Sequence, residues 1–145
     1  MQTVNHRHHV NLAPVYGIMI AVVSIVFTVI FYYTDMAGAL WTGYFGNLLM
    51  FLGILFSVIH YNSQHHEKTS AWALFGMGFR TTLWAVFIIT LFTVALHFIS
   101  GAERENNFWI YLFGSVFFSN VIVGLLAAVL AAMVFKRDQT TTKPE

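Results

Sequence analysis

The sequence predicts an all-α membrane domain, a transmembrane four-helix bundle running up-down-up-down. Three observations predict it. Of 145 residues, 58% are hydrophobic and only 9% charged, against about 25% charged in an ordinary soluble domain, so the chain lacks the polar surface to face water. The apolar residues gather into four runs, each close to the length that crosses a bilayer. Short polar segments separate those runs, and their basic residues fall almost wholly on alternate segments.

The elements follow in order, as a single integral membrane domain over residues 1–145. A polar tail, residues 1–13, carries His6, Arg7, His8 and His9. Pro14 is placed to open the first helix, where its missing N–H costs nothing. Span 1 covers about 15–33, with Ser24 and Thr28 its notable polar groups. A signal-peptide core is shorter, roughly 7–15 residues, so this segment reads as a retained span although Ala37-Gly38-Ala39 resembles a cleavage site. The connection over 34–39 is tight and makes spans 1 and 2 an antiparallel hairpin. Span 2 covers about 40–61. Residues 62–70 are polar and include His65, His66, Glu67 and Lys68. Residues 71–79 read as a short amphipathic lead-in lying at the interface, anchored by Trp72. Span 3 covers about 81–99. A second polar loop with Glu103, Arg104 and Glu105 leads to span 4, about 108–135, which is longer than the bilayer needs. The tail 136–145 is polar.

Orientation comes from the basic residues. Arg7, Lys68, Arg80, Lys136, Arg137 and Lys143 fall on one side and Arg104 alone on the other, which places both termini in the cytoplasm. Tyr and Trp residues cluster at the same two boundaries, the depth their amphipathic rings favour. Residues 81–99 alone span about 28 Å at ~1.5 Å per residue, so Arg80 can remain at the headgroups and snorkel outward. Trp84, one turn on, can offer it a ring face. The alternative places Arg80 in a cavity or on an anionic headgroup. Phe27-Thr28-Val29 is echoed by Phe92-Thr93-Val94, and Trp41-x-x-x-Phe45-Gly46 by Trp109-x-x-x-Phe113-Gly114. A duplicated hairpin would relate the two halves by an axis along the membrane normal.

Several residues could carry function. Gly124, Ala128 and Ala132 form a small-residue row on span 4, with a weaker one in Gly46, Gly53 and Ser57 on span 2. Such rows allow close helix approach, within the bundle or to a second copy. Asn120 lies near the middle of span 4 and needs a partner. Thr90, Ser24 or Thr28 could supply an interhelical bond, or Asn120 could face a substrate or ion. Imidazole is a common metal ligand, so His6, His8, His9, His65 and His66 are weak metal candidates, although their spacing matches no ligand motif. His60 and His97 lie at opposite ends of their spans and cannot share one haem iron. The chain has no cysteine, no His-Glu-x-x-His, Gly-x-Ser-x-Gly or phosphate loop, and no carboxylate within a span of the kind proton carriers use. No block of basic residues suits nucleic acid.

Tyr16-Gly17 at the opening of span 1, the polar turn after span 2, and Phe75-Gly76-Met77-Gly78-Phe79-Arg80 carry a resemblance. With these residues the chain resembles, over about 15–137, a family of small four-span bacterial inner-membrane proteins catalogued as a domain of unknown function. The resemblance implies four spans and the bacterial cytoplasmic membrane, and it brings no activity, cofactor or catalytic residue. The expectation is therefore a non-enzymatic membrane component, structural, accessory or self-associating. Its expected partners are the lipid bilayer and a second copy or another membrane protein, and no cofactor is expected. The alternatives are a small-molecule or ion transporter with a polar path through Arg80, Thr90 and Asn120, and metal binding by the histidines.

Overall fold

The structure, a computed structural model, describes residues 11–36, 39–64, 69–100 and 107–141, with side chains as far as Lys136 in the last helix. It holds α1 (Leu12–Tyr33), α2 (Leu40–Gln64) and α3 (Ala71–Ile99). A fourth rod, α4, starts at Phe108–Tyr111, passes through a π-helical stretch at Leu112–Phe118 and continues over Ser119–Thr141. Four helices are long and apolar enough to cross a membrane, and this is a multi-pass membrane protein. Lipid offers no hydrogen bonds, so each span must satisfy its backbone within itself, as a helix does.

Local chemistry sets the ends. The Asn11 side chain accepts from Ala13 N at 3.3 Å to begin α1. The helix therefore starts two residues before Pro14, which still lies in the first turn where N–H groups have no helical partner. Thr34 closes α1, and Asp35 takes a left-handed conformation (φ 59°) that turns the chain toward α2. Ser70 caps α3 by accepting from Ala73 N at 3.1 Å. Beside it the buried Thr69 hydroxyl donates to Asn62 Oδ1 at 2.6 Å and ties α3 to the end of α2.

One expected boundary is corrected. No separate interfacial lead-in precedes α3, because residues 71–79 are its first turns. Leu74, Met77 and Gly78 are buried within the bundle, and that burial joins the apolar residues 71–79 to the rest of the helix across the glycines and Arg80 that suggested a break. The last helix continues to Thr141, beyond the apolar part Phe108–Lys136 that is suited to cross a membrane.

Around the bundle the order is α1, α2, α4, α3. The α3 helix packs on α1 and α4 and also touches α2, α2 packs on α1 and α4, and α1 and α4 do not meet among the described residues. A two-fold axis exchanging the hairpins would make the α2–α3 and α1–α4 contacts equivalent, and the packing lacks that symmetry.

The core occupies one half of the rods, the end where α1 and α3 begin and α2 and α4 finish, here the tail end. Ile20, Met50, Ile54, Ala85, Val86, Ala127 and Ala128 form its centre. Val58, Leu74, Ala131 and Ala132 continue it, followed by Leu12, Ala13 and Met77. At the opposite, hairpin end, the buried group is Phe108, Leu112 and Val116, packed on Ile89 and Val94 of α3.

Candidate functional site

The closest helix approaches lie in the tail half and rest on glycine. A Cβ on Gly78 would stand 2.6 Å from Ala128 Cβ and 3.0 Å from its Cα. A Cβ on Gly124 would overlap Thr82, 2.5 Å from Oγ1, and one on Gly17 would overlap Trp84 and lie 3.1 Å from Thr81 O. On Gly53 it would meet Ile20 Cγ1 at 2.5 Å. The small-residue row of α4 is thus consumed inside the bundle: Gly124 faces Thr82, Ala128 faces Gly78, and Ala132 is buried in the same core. That row is no free surface for a second copy. Gly46 differs, since nothing lies within 4 Å of its Cβ position, and the same holds for Gly43 and Gly114.

The polar side chains of the spans bond mostly to their own helices. Thr81 donates to Met77 O at 3.0 Å, Thr82 to Gly78 O at 2.8 Å and Thr93 to Ile89 O at 2.9 Å. Thr28 donates to Ser24 O at 2.8 Å, and the buried Ser57 to Ile54 O at 2.7 Å. A short hydroxyl can reach a carbonyl one turn back, which hides it from lipid without a partner helix. Asn120 follows the same rule: its Nδ2 donates to Val116 O at 2.6 Å. The expected bond from Asn120 to Thr90, Ser24 or Thr28 is therefore replaced by one within α4. The bond lies beside the π-helical stretch, which carries the Ser119 N–H to Gly114 O, five residues back. Thr90 Oγ1 is shut off from solvent with no hydrogen-bond partner, beside a groove of about 430 Å³ lined by Leu83, Trp84, Phe87 and Phe117.

Arg80 lies on the outward face of α3, exposed, as does Trp84. It sits about 15 Å along the helix from Thr90 at ~1.5 Å per residue, with Thr90 Oγ1 shut off from solvent. His60 sits against Tyr16, whose hydroxyl is 2.6 Å from Nδ1, with Gln64 Nε2 3.4 Å from the other ring nitrogen. This pair links α1 to α2 and was not foreseen. His97 stacks on Phe108 at 3.6 Å between centroids, joining α3 to α4. His6, His8, His9, His65 and His66 lie outside the described residues. Among the described residues no group of three or more His, Cys, Asp or Glu could hold a metal ion.

What remains as a candidate site is the hairpin half of α2. The buried stripe of this helix runs through Asn62, Val58, Ser57, Ile54 and Met50. Its helical continuation is Asn47, Gly46 and Gly43, and there the cover ends. The backbone of the π-helical stretch of α4 runs beside α3 and not beside α2, and Phe117 alone of its side chains packs on the central core cluster that includes Met50. One extra residue in that stretch turns the buried face of α4: Ala128 and Gly124 lead by regular spacing to Asn120, Phe117 and Phe113, whereas Val116, Leu112 and Phe108 are buried instead. Rotated toward α3, α4 leaves α2 uncovered. On its other side α2 is held to α1 by rings, Phe27 on Phe45 at 4.9 Å and Phe31 on Trp41 at 5.2 Å, both edge-on.

No protein-family model, curated protein or solved structure matches the chain.

Proposed function

We propose that this multi-pass protein is a non-enzymatic component of the bacterial cytoplasmic membrane, akin to the four-span family it resembles. Both termini are cytoplasmic in this reading, and the protein acts by associating with another membrane protein through the hairpin half of α2. The observation that carries the reading is the stripe Gly43, Gly46 and Asn47, where α2 is exposed at Gly43 and only half-buried at the other two, with nothing within 4 Å of either glycine's Cβ position. Two glycines with open space before them let a foreign helix approach closely, and Asn47 adds an amide that can bond across the contact, the two devices that hold helices together in lipid. The orientation rests on Lys136 at the tail end together with the basic bias of the sequence.

Because the chain has no cysteine, single cysteines test the proposal cleanly. Gly43→Cys and Asn47→Cys in native membranes should each give a cross-linked adduct. Ile18→Cys, exposed on α1 in the tail half, should give none. Affinity purification from the same membranes identifies the adduct as a second copy or a different protein. Uncross-linked protein at positions 43 and 47, with nothing co-purifying, would remove the proposal.

A further inference from the structure

The tail end carries a second feature that the association reading does not use. Between the first turns of α3 and the last turns of α4 runs a groove of about 590 Å³, lined by Ala71, Trp72, Phe75, Val129, Met133 and Lys136, with Ala132 at its base. The volume is that of a ligand site, roughly 300–1,000 Å³. Its walls are apolar except at one end, where Lys136 lies exposed. Trp72, 82% exposed, stands at the same end, the depth that an indole ring takes at a membrane boundary. From Lys136 the apolar wall descends to Val129, about 10 Å along α4 at ~1.5 Å per residue.

We propose that this groove binds one anionic phospholipid, an acyl chain lying along Phe75, Val129 and Met133 and the phosphate meeting the Lys136 ammonium. The apolar length accounts for a chain in the hydrocarbon. The Lys136 cation at its mouth selects the headgroup, since a zwitterionic lipid satisfies the walls but brings no net charge to Lys136. A lipid held here bridges the first turns of α3 and the last turns of α4, and so reinforces the tail end of the bundle.

The test is native mass spectrometry of the full-length protein released from detergent with phosphatidylglycerol or phosphatidylcholine. Retention of phosphatidylglycerol should exceed that of phosphatidylcholine by about five-fold, the scale of one basic residue near an anionic surface. Lys136→Gln should abolish the preference, Arg80→Gln should leave it intact, and Met133→Trp, which fills the groove, should reduce retention of both lipids. A melting curve for each variant shows that the bundle is intact. Equal retention of the two lipids would overturn the proposal. So would a preference lost equally in Arg80→Gln and Lys136→Gln, which would make it an effect of overall charge. A Met133→Trp change that shifted the oligomer rather than the lipid adduct would overturn it too, by showing a protein occupant.

Discussion

The two halves of the bundle are built from similar residues and packed in different ways. In the tail half glycines face neighbouring helices at close range, Gly78 on Ala128, Gly124 on Thr82 and Gly17 on the α3 backbone at Thr81, until a single methyl group does not fit. In the hairpin half large rings bridge helices in pairs, Phe27 and Phe31 to Phe45 and Trp41, His97 to Phe108. There α2 and α4 part, and the glycines at 43, 46 and 114 face open space. Association in lipid has no hydrophobic drive and depends on packing and hydrogen bonds. A glycine therefore holds the fold together only where a neighbour has come close enough to use it. Residue type alone does not distinguish the two situations.

The comparison can be broken by substitution, most severely in the tail half. Gly78→Leu should prevent folding or cost about 3 kcal/mol, since overpacking against a fixed backbone is costly and Ala128 Cα lies only 3.0 Å from the Cβ position. An unfolding titration in mixed micelles reads this directly. Gly53→Ala should cost less, about 1 kcal/mol, because it meets the movable Cγ1 and Cδ1 of Ile20. Smaller again is Tyr16→Phe, which removes the hydroxyl facing His60 and should lower stability by roughly 0.6 kcal/mol, the average for a side-chain bond between helices in lipid.

The smallest effects sharpen the picture of the polar residues. A double-mutant cycle between Asn120→Leu and Thr90→Val should give a coupling below about 0.5 kcal/mol, since Asn120 bonds to Val116 O within its own helix. A larger coupling would restore the interhelical bond that the sequence suggests. Thr90→Val alone should be neutral or slightly stabilising, because it deletes a buried hydroxyl that has no partner.

Much of this fold was legible in the sequence. Four apolar runs, their polar separators and the boundary aromatics predict the four helices, since length and hydropathy are what lipid selects. The start of α3 was misread because Gly76, Gly78 and Arg80 look like an interface, and only the partner surfaces of Ala128 and Val58 show that Gly78 is core. The Gly124 row is visible as a pattern, but whether it faces inward or outward depends on the helix order α1, α2, α4, α3, which no local pattern encodes. The π-helical stretch left no sign in Leu112–Phe118 that we can identify. Gly17 and Gly78, two residues of the resemblance motifs, prove to be contact points between helices. At these two positions the motifs record packing.

The claim that most of this depends on is that the tail half is closed and the α2 face of the hairpin half is open. The direct test is the unfolding free energy of Gly46→Ala beside that of Gly124→Ala, both measured on monomer in one detergent mixture. Open space at Gly46 predicts that alanine stabilises by about 0.5–1 kcal/mol through lower backbone entropy, while the overlap with Thr82 predicts that Gly124→Ala destabilises. Two changes of the same sign would contradict the account.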